Sequence, residues 1–142
     1  MYETILFPTD GREHADTVAR HAIDIAETRD ASLHILSVVD DRAFLVLGEE
    51  RAEAVRDELR ERAQEATSEA AALAAEHGLD ATTVVETGHP AECITSYADA
   101  HDVDLVVMGT SGDDYERNVV GSVSQRVVQT SPVPVLTVTQ RE

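Results

Sequence analysis

The sequence contains no lysine and no tryptophan, a single cysteine, and two phenylalanines beside three tyrosines. Each scarcity excludes something. The lone Cys93 rules out an internal disulfide, and without a Cys-x-x-Cys or a paired His/Cys spacing no zinc site is expected. So few aromatic rings leave few platforms on which single-stranded nucleic acid could stack its bases. No apolar run approaches the ~18 residues that a membrane span needs, and the opening MYETILFPTDGREHAD has no basic leader region. A cytoplasmic protein with no membrane partner is the expectation.

Positive charge is scarce too. All 11 basic residues are arginine, against 28 acidic residues, for a formal net charge of −17. Such a surface repels phosphate backbones and anionic membranes, which argues against nucleic acid as a partner. It also repels itself unless salt screens it, and at molar salt the Debye length falls to about 3 Å. Acid excess without lysine therefore points to a salty cytosol of halophilic type.

What is present is a chain of 142 residues with 42% hydrophobic residues, mostly Ala, Val, Leu and Ile. That length suits one core, and no linker, repeat or low-complexity tract divides it, so residues 1–142 are expected to form a single domain. Short β-branched runs alternate with helical periodicity. Strands are expected at Thr4–Phe7, Ser32–Val39, Ala81–Glu86, Leu105–Met108 and Val133–Thr139. Helices are expected at Arg12–Arg29, at Glu49–His77 with a stop at Gly78, at Pro90–Ala100 and at Gly121–Thr130. Asp40–Gly48 reads as a loop with an apolar patch, Phe44 to Leu47. The alternation implies an α/β fold, a mostly parallel sheet with helices on both faces.

Ligands of an open parallel sheet bind beyond the carboxyl ends of the strands, where the strand order reverses. The segments there are Pro8-Thr9-Asp10-Gly11, Val39-Asp40-Asp41, Thr87-Gly88-His89-Pro90 and Gly109-Thr110-Ser111-Gly112. The last continues through Asp113–Val120 to Gly121-Ser122-Val123-Ser124, which opens the final helix. Glycines let main-chain N–H groups close around phosphate oxygens, and a helix N-terminus adds donors and the positive end of a dipole. A plain turn-and-cap reading also stands, because the pattern has neither a P-loop Gly-Lys-Ser/Thr nor a GxGxxG after the first strand. Asp10 likewise has two readings, a ligand contact or the cap of the following helix with Glu13. Thr9 reads as locally satisfied, His89 as a solvated turn residue and Cys93 as a small buried hydrophobe. The Phe44 patch reads as a lid or a subunit contact. No Ser, His and acid set can be placed together, so no catalytic residue and no metal ligand is assigned.

The pieces ILFPTDG, GHPAECI, VDLVVMGTSG, GSVSQRVV and SPVPVLTV together resemble the universal stress protein family over essentially the whole chain. The resemblance implies a five-stranded parallel sheet of order 3-2-1-4-5, Rossmann-like and adenine-nucleotide alpha-hydrolase-like. It implies a homodimer formed largely through the last strand and, in one branch of the family, bound ATP. It places Asp10 and a main-chain group near Val39 around the ribose and adenine, and Gly109, Gly112, Gly121 and Ser122 around the phosphates. The chain departs from the pattern in the loop. Asp113–Val120 supplies eight residues, one fewer than the family's nucleotide-binding pattern, and it opens with Asp113-Asp114. Two carboxylates repel a triphosphate unless a divalent cation such as Mg lies between them or the side chains turn to solvent.

Two functions follow. One is an ATP-binding stress or signalling module, a homodimer acting through an unidentified protein partner, with at most slow ATP hydrolysis. The other is a nucleotide-free dimeric interaction protein of the same fold. The retained Asp10, Gly109, Gly112, Gly121 and Ser122 favour the first, and the short acidic loop favours the second. An enzyme acting on an adenylated substrate would rest on fold analogy alone.

Overall fold

The computed structural model describes residues 1–12, 14–44, 46–110 and 121–139. Five strands, β1 (Thr4–Pro8), β2 (Ser32–Asp40), β3 (Thr82–Gly88), β4 (Leu105–Gly109) and β5 (Val135–Val138), alternate with α1 (Ala15–Arg29), α2 (Glu49–Glu76), α3 (Pro90–Ala100) and α4 (Ser122–Thr130). All pair in parallel in the order β3-β2-β1-β4-β5. This is the order that the family resemblance implied. The chain builds β1, β2 and β3 towards one edge, then crosses back to place β4 and β5 on the other side of β1. The order therefore reverses at β1.

Continuous apolar runs make the sheet two-faced. Ile5, Phe7, Leu33, Ile35, Leu105 and Val107 face α1 and α2, whereas Leu6, Leu36, Val106 and Met108 face α3 and α4. Strands buried on both faces have no polar side to alternate with, which is why β1 reads as an unbroken Ile5-Leu6-Phe7. Each of these is at most 2% exposed, and each such side chain contributes about 2 kcal/mol by leaving water. At the amino ends of the strands the Asp104 carboxylate accepts hydrogen bonds from the N–H groups of Glu3 and Thr4, at 2.8 and 3.0 Å. That clasp ties the entry of β4 to the entry of β1.

Several boundaries differ from the sequence expectation, each for a local reason. The first helix begins at Ala15 rather than Arg12, because Gly11 and His14 hold φ at 72° and 76°, outside the helical region. Asp10 does not cap it. Its Oδ1 accepts from the Arg12 N–H at 3.0 Å, closing a tight turn ahead of the helix, and His14 occupies the cap position without making a side-chain capping hydrogen bond. The Asp40–Gly48 loop is partly ordered: β2 runs on to Asp40, and Asp41–Phe44 forms a 3₁₀ turn. The last strand starts at Val135, after Pro134, which has no N–H to give a ladder. The long helix stops as expected, with Gly78 at φ +78°.

The apolar patch from Phe44 to Leu47 is split: Val46 is 93% exposed, whereas Phe44 is buried. This phenylalanine is 9% exposed and packs with Val39 and Ala63, against Leu47, Ala52, Val55 and Leu59. The 3₁₀ turn is thereby pinned to α2. The inner face of α2 is made of small residues, Ala63, Ala66, Thr67, Ala70 and Ala74, so the helix lies close over β2 and β3. Among the described residues no helix is long and apolar enough to cross a membrane.

Candidate functional site

A cleft of about 750 Å³ opens beyond the carboxyl ends of β1, β2 and β4, at the reversal of strand order. Phe7, Leu36 and Met108 contribute its apolar floor. One side is formed by the turn Pro8–Arg12 together with Val39, Asp40, Arg42 and the face of α2 from Leu59 to Glu69. The other is formed by Gly109, by the start of α4 at Gly121–Ser124, and by Pro90 and Ile94 of α3.

Of the residues expected to hold a nucleotide, Asp10, Val39, Gly109, Gly121 and Ser122 all line this one cleft. Gly112 lies outside the described residues, as does the short acidic loop Asp113–Val120. Gly121 is held by its N–H donating to the Thr110 carbonyl at 2.9 Å. That bond closes the two ends of the loop on one another. The Gln125 N–H then donates to the Gly121 carbonyl at 2.9 Å, completing the first turn of α4. Ser124 is buried with its hydroxyl donating back to the Gly121 carbonyl, while Ser122 is exposed and lines the cleft. A helix start with a glycine at its cap is a natural seat for an anion.

At the β1 end the Thr9 hydroxyl accepts from the Gly11 N–H at 3.1 Å, so Thr9 shapes the turn, as its sequence position suggested. Asp10 is exposed at the rim and carries an ion pair to Arg12 Nε at 3.3 Å. Asp40 is locked more firmly. Arg42 donates to it from its own N–H, from Nε and from Nη2, at 3.0, 3.0 and 2.7 Å. The Arg42 guanidinium holds the Asp40 carboxyl below its ordinary range, partly opposed by burial.

The sequence reading missed the α2 side of the cleft, to which Arg62, Glu65 and Glu69 contribute. Nothing in a 28-residue run of Ala, Glu, Arg and Leu says which flank overlooks the sheet edge. With these residues the cleft sets Arg12, Arg42 and Arg62 against Asp10, Asp40, Glu65 and Glu69. That is three of the chain's 11 arginines but only four of its 28 carboxylates, so the cleft is far closer to neutrality than the molecule around it. An anion that the rest of the surface repels meets least resistance here.

Cys93 is half-buried beside Gly88, and burial, with the charges of Glu86, Asp41 and Glu92, pushes its thiol up. It stays protonated and unreactive near neutrality. Among the described residues no group of three or more His, Cys, Asp or Glu side chains is placed to hold a metal ion. At the opposite, amino end of the strands His34 Nδ1 lies 2.6 Å from the Tyr97 hydroxyl, and the Tyr97 ring stacks on His101 at 3.8 Å.

Comparison with known proteins agrees with this architecture. The model of the universal stress protein family matches residues 1–139. A universal stress protein of Methanocaldococcus jannaschii is 38% identical over 140 residues, covering 97% of this chain and 82% of that protein. The solved universal stress protein UspA from Lactobacillus plantarum is similar with a TM-score of 0.87 at 29% identity, covering 96% of this chain and 97% of that one. A universal stress protein solved in complex with cAMP is similar with a TM-score of 0.75 at 25% identity, over 98% of this chain and 99% of that one. With its strand order, its cleft and a family match spanning nearly every residue, the chain belongs to the universal stress protein family.

Proposed function

We propose that residues 1–142 act as one domain that binds an adenine nucleotide, ATP in particular, in the cleft beyond β1, β2 and β4, and serves as a stress-response or signalling module. The observation that carries this reading is the convergence of Asp10, Val39, Gly109, Gly121 and Ser122, distant in sequence, on that one cleft. Its volume is of the size that holds a small-molecule ligand. The cAMP complex of a structural relative supports the adenine nucleotide.

In this reading the main chain near Val39 and the carboxylate of Asp10 address the adenine and ribose. The N–H groups at the start of α4, with the Ser122 hydroxyl, receive the phosphates. The near-neutral electrostatics of the cleft admit a charge that the net −17 of the chain otherwise excludes. A magnesium ion accompanying the nucleotide would be held chiefly by phosphate oxygens, with Asp10, exposed although paired with Arg12, as a carboxylate at hand, while Arg42 engages both oxygens of Asp40. The module works as a homodimer through β5, the sheet edge opposite β3, and passes its state to a protein partner.

A second reading, a nucleotide-free interaction protein of the same fold, draws on the carboxylates of Glu65 and Glu69 in the cleft, added to the short acidic loop. The two separate on thermal unfolding in molar KCl with increasing Mg-ATP, with GTP and a Ser122→Asp variant as controls. Aspartate suits the first turn of a helix but repels a phosphate placed there. A ligand at 100 times its Kd adds about 2.7 kcal/mol of stability. The expected outcome is a rise in Tm with ATP, smaller with GTP and lost in Ser122→Asp. No shift at millimolar ATP would select the nucleotide-free reading.

A further inference from the structure

One carboxylate oxygen beside the cleft is left without a donor among the described residues. Arg42 commits Nε and Nη2 to Asp40, and the neighbouring Asp41 keeps a buried oxygen, Oδ1, that accepts no hydrogen bond. Among the described residues it is the one buried side-chain atom in that condition. Buried acceptors are nearly always satisfied, so an orphan calls for an explanation. Facing it is Nδ1 of His89, 3.9 Å away. That is too long for a hydrogen bond but within ion-pair reach of a protonated imidazole.

The two residues belong to different elements. Asp41 opens the 3₁₀ turn that follows β2, and His89 sits in the turn from β3 into α3, directly before Pro90. Val39, Asp40 and Arg42 line the cleft on one side of this pair, and Pro90 and Ile94 line it on the other. A bond from His89 to Asp41 would therefore span the gap between the β2 wall and the helix beside it.

Whether that bond exists depends on a proton. A neutral imidazole carries hydrogen on one nitrogen only, and the tautomer protonated at Nε2 offers Asp41 nothing. An imidazolium donates from both nitrogens, and its bond to a carboxylate is charge-assisted. Negative charge gathers around the pair. Asp40 feels the charge of His89 as well, and Glu86 of β3 and Glu92 of α3 add negative charge around Cys93 together with Asp41. The opposing charge is Arg42, which is already engaged by Asp40. The His89 side chain is 55% open to solvent and that of Asp41 37%.

We propose that His89 and Asp41 form a proton-operated clip, closed in mildly acidic solution, that ties the turn after β2 to the start of α3. The clip itself needs no ligand. Its consequence, a firmer cleft wall and tighter binding in acid, rests on the nucleotide reading above.

A double-mutant cycle of His89→Gln and Asp41→Asn, followed by denaturant unfolding at pH 5.5 and pH 8.0 in one salt, tests the clip directly. The remaining histidines are common to all four proteins, so their titration cancels. Coupling of roughly two- to fivefold in the unfolding equilibrium constant is expected at pH 5.5, the size of a partly exposed ion pair, and none at pH 8.0. Additivity at both pH values would overturn the proposal, and so would equal coupling at both. The wild-type protein gives an independent readout that needs no variant. Its His89 Nδ1 proton should be protected from exchange at pH 5.5, and a freely exchanging proton would sink the clip. Where Mg-ATP binds, its affinity gain between pH 8.0 and pH 5.5 should shrink in His89→Gln; a complete absence of ATP binding would remove the nucleotide reading and leave the result of the cycle standing.

Discussion

At Gly11 the backbone holds φ at +72°, and a Cβ built there would lie 2.7 Å from Cβ of Ala66 on α2. Both facts exclude a side chain, one through the left-handed conformation and the other through the small-residue face that brings α2 close. Gly11→Ala should destabilise by about 2–4 kcal/mol, summing backbone strain and overpacking, and a fall in the urea midpoint would register it. At the other end of the sheet His34 titrates in a setting that opposes its charge. Burial, and then the charge of His101, hold its pKa below the ordinary 6.5. The folded protein therefore takes up this proton less readily than the unfolded chain does. Its stabilising contribution is complete above pH 6.5 and is lost as pH falls through the window below that value. Stability measured by denaturant across that window should decline in the wild type and decline less in His34→Gln.

Elements carry what single residues do not. The turn Asp41–Phe44 stands over the cleft because the Phe44 ring sinks between Val39 and Ala63, with the Arg56 guanidinium 4.6 Å above it. Phe44→Ala should cost about 3 kcal/mol and release the turn, so that limited proteolysis after Arg42 quickens relative to wild type. The elements that were legible in the sequence are those whose signal is local. Unbroken Ile5-Leu6-Phe7, Pro90 at a helix start, Gly78 at a helix stop and the small residues Gly109, Gly121 and Ser122 each say what they are within a few positions. The fold and the glycine side of the cleft followed from them and from the family resemblance. The α2 side did not, because Arg62, Glu65 and Glu69 reach the cleft only through the angle at which a long helix crosses the sheet. The same holds for Phe44, whose burial is decided by α2, some twenty residues further along the chain. His14 at the head of α1 illustrates the reverse error: an acidic residue and a later Glu look like a cap, but two left-handed positions intervene.

For the molecule as a whole, the sheet has two edges and they differ. Among the described residues β5 pairs with β4 alone, and Leu136 on it and Val128 on α4 are 39% and 52% exposed. The N–H groups of Val106 in β4 and of Thr110 just beyond it donate to the carbonyls of Pro134 and Val138. By the alternation of a parallel ladder, Thr137 directs its own N–H to the free edge. Thr137→Pro therefore removes a donor that β4 does not use, and in the proposed dimer it should convert the protein to a monomer by sedimentation while leaving the far-UV spectrum intact. A variant that stays dimeric would remove β5 from the interface. The cleft has a wider meaning at this scale. The residues around it come from two stretches of chain: Phe7 to Glu69 supplies most of the floor, the rim and the α2 wall, and Pro90 to Ser124 supplies Met108 of the floor, the glycine wall and the α3 flank. A molecule seated there touches both stretches at once and so works as a removable staple. Cut within the exposed turn at Gly78, the two fragments would be held together by their ligand as well as by their shared sheet, and reassembly of the split protein would become a direct gauge of what the cleft has bound.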